Sequence, residues 1–401
     1  MRASYGEVGN EGIGDYKYAS YIRNQIDYVW GPETGDQLGL GAIQRAYSNP
    51  NIVWETNVSK NIGLDASLLR GALSLSFDMY KNNKKDMLLD VIIPASSGTN
   101  VGWGNNSITS NIGNMVNKGF EFSATYKGHT KFGMNWSLIG TFTKNINEIT
   151  SLGDMNEIPL ANSKLGSWLN NDNVTTYMKV GYPAGSFFLI ESDGVIQTQE
   201  ELDAVKSYMP NAKLGDLKLV NQNGDNIIDD NDQCPIGNPI YPQLTAGITA
   251  GFEYKGFDFS MLWAGSGKVS RFISAGLRVP FGGGNYGLLQ YMIDDHWTPE
   301  TAETAKTPRF SGAANANNYT RNSTLWLKDA SYIRLKNVQI GYTFKGEWMK
   351  KIHLKNMRIY ASGENLLTFD HLKIADPEAT DDKQFQYPLQ MIFNIGLNLN
   401  F

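Results

Sequence analysis

The chain has 401 residues, 41% of them hydrophobic and 12% aromatic, with a formal net charge of −5. The acidic balance excludes nucleic acid as a partner, because phosphate binding needs a basic footprint. No stretch approaches the roughly 18 uninterrupted apolar residues of a membrane-spanning helix, and the single cysteine, Cys234, can form no internal disulfide.

Met1 opens no charged-then-apolar leader, and Arg2 to Gly6 reads at once as strand. An exported protein with that start is expected to be the C-terminal part of a longer one. Tyr16 to Gly31 is aromatic-rich and is expected to supply strand and loop. From Trp54 the side chains alternate: Trp54, Thr56, Val58, Ile62 and Leu64 oppose Glu55, Asn57, Ser59, Asn61 and Asp65. A turn at Leu69-Arg70-Gly71 leads to Leu73, Leu75, Phe77 and Met79, set against Ala72, Ser74, Ser76 and Asp78, which makes a hairpin. Lys81 to Gly113 is polar and rich in Gly, Asn and Ser, and reads as a loop.

The alternation then returns. Phe120, Phe122, Ala124 and Tyr126 oppose Glu121, Ser123 and Thr125, and Met134, Trp136, Leu138 and Phe142 oppose Asn135, Ser137, Thr141 and Thr143. Asn145 to Gly215 reads as a long excursion with a short helical signal at Thr198–Leu202. Leu244 to Tyr254 and Phe257 to Trp263 flank a tight turn at Lys255-Gly256, and 266–327 is a further excursion. Three strands finish the chain, near Tyr332–Phe344, Met357–Asn365 and Tyr387–Phe401. In the last of these, Tyr387, Leu389, Met391, Phe393, Ile395, Leu397, Leu399 and Phe401 are all apolar, and amides and glycine dominate between them.

Successive strand side chains point to opposite faces, so such a stretch has one greasy and one wet face. About 9–11 tilted residues cross a bilayer, and a wet face of amides suits a polar lumen better than a packed core. Brief turns alternating with long polar excursions match short periplasmic turns and long extracellular loops. The sequence therefore predicts an all-β, antiparallel transmembrane β-barrel, its 12% aromatics and 41 glycines suiting aromatic girdles and many turns. In Tyr332–Phe344 the parity changes between Leu335 and Val338, as expected where a strand leaves the lipid band.

Asn221, Asn223, Asp225, Asp229 and Asp232, with the Ile227 carbonyl, fall at positions 1, 3, 5, 9, 12 and 7 of a calcium-loop spacing. Asn221 replaces the usual Asp, Asn226 the usual Gly and Asp232 the usual Glu, so a structural calcium and a metal-free Asx-rich turn both stand as readings. No other cofactor is required. The four histidines are scattered, which argues against zinc, and no nucleophile elbow or phosphate loop occurs. Glu55, Asp78, Glu121 and Glu253 resemble catalytic carboxylates in type, but each sits on the polar phase of a strand and is expected to be solvated lumen wall. The excursion aromatics Trp103, Trp168, Tyr208, Tyr286, Tyr291, Trp297 and Tyr319 are candidates for stacking on a sugar ring, with packing between loops as the alternative. For Trp297 a scaffold role is the favoured expectation.

Several ordered motifs carry a family resemblance: Met1 to Gly6, Asn49 to Glu55, Asn117 to Glu121, Val180 to Pro183 and Asp193 to Thr198. Gly215-Asp216 leading to Asn223-Gly224-Asp225, His296 to Pro299, Tyr332 to Asn337, Asn365-Leu366 and the terminal Phe401 continue it. Together they resemble the SusC/RagA-type TonB-dependent transporters of Bacteroidetes, over essentially the whole chain. The resemblance implies the C-terminal part of a 22-stranded outer-membrane barrel, about ten to twelve strands here, across residues 1–401. It implies that the plug, the TonB-contact segment and the signal peptide lie outside this sequence. It also implies non-enzymatic import of an oligosaccharide or a peptide, a SusD-like surface lipoprotein as lid, the TonB complex as energy source, and outer-membrane lipid around the wall. The rival reading is a secreted calcium-dependent carbohydrate-binding or hydrolytic β-protein, supported by the calcium-like loop and the aromatics.

Overall fold

The computed structural model of the chain describes all residues except 11, 13–17, 25–26, 31–36, 93–106, 160–174, 282–286, 312–315, 381–386 and 388. Ten strands form one sheet: β1 (Arg2–Asn10), β2 (Glu55–Leu68), β3 (Leu73–Ile92), β4 (Ser107–His129), β5 (Asn135–Leu152), β6 (Leu244–Tyr254), β7 (Phe257–Gly267), β8 (Tyr332–Phe344), β9 (Asn356–Asp370) and β10 (Ile392–Asn400). Each pairs antiparallel with the next in chain order, and β1 and β10 form the two edges. The links 69–72, 130–134, 255–256 and 345–355 gather at one end of the sheet. The described parts of excursions 11–54, 153–243, 268–331 and 371–391 leave from the other. In the tightest link Lys255 and Gly256 have φ of 47° and 93°, the left-handed pair that a two-residue hairpin turn needs.

The register explains why one face is greasy. Leu68, Leu73, Tyr126, Leu138, Ala250, Met261, Val338, Gly363 and Phe393 stand opposite one another in a continuous row across nine strands, with no polar side chain among them. On the other face, Asp65, Ser76, Ser123, Thr141, Gly247, Ala264, Arg334 and Thr368 form a row of polar and small residues. The apolar side chains point outward: Phe122, Ile248, Phe393 and Leu397 are all exposed, and Leu75 is half-buried. A protein in water would bury such a face, because large contiguous apolar patches draw partners or aggregate. Hydrocarbon is the solvent that fits it.

Several strand boundaries differ from the sequence reading. Lys81–Ile92 and Ser107–Gly113 belong to β3 and β4, which continue their ladder far beyond the greasy stretch. Asn145–Leu152 likewise stays in β5. In these extensions Leu89, Ile112, Met115, Ile149 and Leu152 pack together with Ile158 of the following excursion, so the simple alternation fades while backbone pairing persists. The last strand starts at Ile392, not at Tyr387. Its partner β9 reaches Asn365, whose φ of 55° interrupts the regular ladder, and whose side chain donates to the Gln390 carbonyl at 3.2 Å.

The parity change in β8 has a local cause. Leu262 and Trp263 of β7 pair with Asn337 and Leu335, leaving Lys336 as the extra residue of a β-bulge. The bulge returns Ile333, Leu335, Val338 and Ile340 to one face, so the strand need not have left the lipid band.

One packed cluster, Ile149 and Leu152 of β5 with Ile158, sits at the end of the sheet, and the two larger ones lie in the excursions. Phe187 and Leu189 from excursion 153–243, Phe272, Ile273, Tyr319 and Trp326 from 268–331, and Leu372 from 371–391 form one buried cluster. A second cluster joins Ile190, Ile196, Leu202, Val205, Leu217 and Leu219. These excursions thus build an ordered cap, with a small sheet that includes Ser186–Ile190, every residue of which is buried. Helix α1 (Gln199–Val205) forms where the sequence signalled it. Thr198 and Glu201 close a reciprocal capping box, and the helix buries Leu202 and Val205.

Candidate functional site: wall and cap

The lumenal wall is zipped by ion pairs. Arg2 reaches Asp65 at 2.7 Å and Asp78 at 2.9 Å, linking β1, β2 and β3. Arg358 of β9 pairs with Asp258 of β7 across the intervening strand. Glu55, expected to be solvated, is 7% exposed. It pairs with Lys84 at 2.8 Å and accepts from the Leu88 N–H and the Asn10 amide, so it holds the wall together. These carboxylates have bound partners and show no acid–base pairing over a substrate cleft.

Near the long-excursion end, Arg334 of β8 is 3% exposed. It engages both oxygens of Asp376, approaches Glu378 at 3.1 Å and donates to Thr368 Oγ1 at 2.8 Å. Lys336, the bulge residue, also pairs with Glu378. A barrel-strand bulge therefore clamps the segment whose Leu372 sits in the cap core.

Inside the cap, the motifs that carried the family resemblance meet in space. Asp216 is fully buried: one oxygen pairs with Arg309 at 2.7 Å and accepts from Asn318 at 2.9 Å, and the other accepts from the Lys213 N–H. Asn318 in turn accepts from the Leu217 N–H. The Trp297 indole donates to Gln197 at 2.8 Å and its ring lies on Gly215, whose φ is +82°. A Cβ there would stand 2.2 Å from the ring. Gly215→Ala is accordingly expected to destabilise the cap by about 1–3 kcal/mol through overpacking and backbone strain. Hydrogen exchange of residues 190–219 should accelerate in that variant while strand amides stay protected. At α1, the Gln197 N–H and then Lys218 hold the Glu201 carboxyl below the usual range.

Of the aromatic candidates, Trp103, Trp168 and Tyr286 lie outside the described residues. Tyr319 corrects the expectation of a sugar platform: it is 3% exposed, packs against Trp326 and Phe310, and donates to the Pro308 carbonyl at 2.5 Å. The half-buried Tyr291 donates to the Leu277 carbonyl beside the fully buried Arg278. That guanidinium stacks on Phe272 and donates to the Tyr319 carbonyl, and burial lowers its pKa to about 9. Tyr291 and Trp297 thus serve as scaffold contacts, whereas Tyr208 lines an open cavity of about 870 Å³ with Lys206, Lys213, Arg309 and Phe310. Nothing in the spacing of these residues pointed to that cavity, because its walls come from distant stretches.

The calcium-like loop folds around its own N–H groups. Asn221 Oδ1 accepts from Gly224, Asn223 Oδ1 from Asp225, Asp225 Oδ1 from Ile227 and Asp229 Oδ1 from Asn231. The buried Asp232 accepts from Gln222 through one oxygen and from Asp229 through the other. Asn226 takes φ of 64°, the conformation usually left to glycine. Among the described residues no group of three or more His, Cys, Asp or Glu side chains converges as a metal site.

A greasy outer face, an ion-paired wet face and loops segregated to one end define a wall of a transmembrane β-barrel with an ordered cap. The TonB dependent receptor-like, beta-barrel family matches residues 1–366, and the chain belongs to that family of non-enzymatic outer-membrane proteins. It is 30% identical to TonB-dependent receptor P3 of Formosa agariphila and 29% identical to TonB-dependent receptor SusC of Bacteroides thetaiotaomicron, in both cases over 100% of this chain. Those alignments cover 39% and 37% of the relatives, so the chain spans about two-fifths of their length. Among solved structures, the RagAB peptide importer in its 'open-open' state superposes with a TM-score of 0.74 at 25% identity, over 100% of this chain and 40% of that one.

Proposed function

We propose that this chain forms the distal wall and extracellular cap of a TonB-dependent importer that admits an oligosaccharide and works with a SusD-like surface lipoprotein. The observation that carries the reading is the continuous lipid-facing row backed by a polar, ion-paired lumen. Similarity to SusC and to the RagAB importer supports TonB-driven transport and a lipoprotein partner. A cavity combining aromatic and amide groups supports sugar as cargo. Peptide is the second reading, favoured by the likeness to an importer described as carrying peptides.

Uptake of fluorescent oligosaccharides and peptides by cells with and without the gene, with and without a protonophore, tests this. The expected result is gene-dependent sugar uptake that the protonophore abolishes. Gene-dependent uptake of peptides alone transfers the reading to peptide, and uptake that survives the protonophore contradicts energisation through TonB. The loop at Asn221–Asp232 is proposed to work without a metal. Terbium titration of the folded protein is expected to show no saturable site there, and a site lost on Asp229→Ala would restore the calcium reading.

A further inference from the structure

We infer that the cap cavity bordered by Lys206, Lys213 and Arg309 binds an acidic sugar, a carboxylate- or sulfate-bearing unit of the cargo. The inference rests on the importer reading and narrows its substrate class. Among the described residues, Lys206, Lys213 and Arg309, the last paired with Asp216, line the cavity and no carboxylate does, in a chain whose net charge is −5. Asp216, the partner of Arg309, is fully buried and also engaged by Asn318 and the Lys213 N–H. Lys206 Nζ donates to the Pro210 carbonyl at 3.0 Å and the Ala212 carbonyl at 2.7 Å. Those neutral acceptors fix the ammonium in place and leave its charge uncompensated.

Lys213 is exposed, and neither lysine has a carboxylate within ion-pair distance among the described residues. The acids of the adjacent loop point elsewhere. Asp225 and Asp229 accept loop N–H groups, Asp232 is buried, and Asp230 stands 4.0 Å from Arg321. Fixed cations in a concave wall focus a positive potential where an anion can sit.

The remaining lining selects a sugar over an acidic peptide. Tyr208 and Phe310 supply aromatic surface, and Asn211 and Ser311 supply groups that can both donate to and accept from hydroxyls. A volume of about 870 Å³ holds a short oligosaccharide. Anion binding through charge-assisted hydrogen bonds from ammonium groups is strong and salt-sensitive.

Isothermal titration calorimetry on the detergent-solubilised protein tests this with four probes of equal length: oligogalacturonate, a sulfated galacto-oligosaccharide, a neutral galacto-oligosaccharide and an oligoglutamate peptide. The expected result is that at least one acidic sugar binds about tenfold or more tightly than the neutral one, with affinity falling as salt rises. The double variant Lys206→Gln, Lys213→Gln, checked for an unchanged circular dichroism spectrum, should erase that preference, bringing the acidic sugars down to the affinity of the neutral one. Whichever acidic sugar binds better tells carboxylate from sulfate. Equal affinity for acidic and neutral sugars overturns the inference but leaves sugar import standing. Tightest binding of oligoglutamate overturns the sugar class, and binding of neither acidic sugar, or a preference that survives in the double variant, overturns the site. Failure of import itself is read separately, in the uptake assay.

Discussion

Asp216→Ala is expected to unfold the cap while sparing the barrel wall. The carboxylate is fully buried and ties together the Arg309 guanidinium, the Asn318 amide and the Lys213 N–H. Removing the buried carboxylate leaves the Asn318 amide and the Lys213 N–H unpaired, at about 1–3 kcal/mol for each unsatisfied buried group, and takes the counter-ion from the partly exposed Arg309. The loss falls on the junction between excursions 153–243 and 268–331, which share the Phe187–Trp326 core. Limited proteolysis should cut the variant within those excursions, and heat-modifiable migration on gels, which reports the folded barrel, should persist. Asp216→Asn keeps the shape and part of the hydrogen bonding, so its effect should be smaller. Equal protease resistance of Asp216→Ala and the parent chain would remove the clasp from the account.

A second large effect separates the two faces of one strand. Phe122→Arg should lower barrel stability by about 2–4 kcal/mol if Phe122 lies near the bilayer midplane, whereas a lumenal charge costs little. Phe122 stands in register with Phe77 and Phe142 on the outer face, and its neighbour Ser123 stands with Ser76 and Thr141 on the inner one. Ser123→Arg therefore serves as the matched control. Urea titration of the protein folded into lipid vesicles should show the first variant unfolding at markedly lower denaturant and the second close to the parent. Equal destabilisation by both would mean that lipid does not distinguish the faces.

The wall was readable from the sequence because period-two alternation is forced wherever hydrocarbon touches one face. Phe120 to Tyr126 and Leu244 to Tyr254 carry that signal without interruption. It failed where the packing changes: Lys81–Ile92 still pairs with β4, but there Met87 is buried and Leu89 packs into a cluster with Ile149 and Leu152, contacts that leave no period-two pattern. The bulge at Lys336 was visible as a parity change, although sequence alone could not tell a bulge from an exit into water. The cap was harder. Ser186–Ile190 is an apolar run that signals burial, yet its partners Phe272, Trp326 and Leu372 lie far along the chain. Tyr319 lies in a long polar excursion, which marks it in sequence as a candidate stacking aromatic. Tertiary packing, which leaves no local pattern, buries it. Motifs of the family resemblance are structural contacts in the cap, with Trp297 lying on Gly215 and Asp216 paired with Arg309.

Spin-label accessibility along β4 tests the central claim most directly. With Cys234 replaced by Ser, a single cysteine is placed in turn at each position from 120 to 126, labelled with a nitroxide, and read in vesicles against oxygen and against a water-soluble nickel chelate. The account predicts a period of two, with oxygen relaxing labels at 120, 122, 124 and 126 and the chelate relaxing those at 121, 123 and 125. Uniform exposure to the chelate at all seven positions, or the opposite phase, would contradict it.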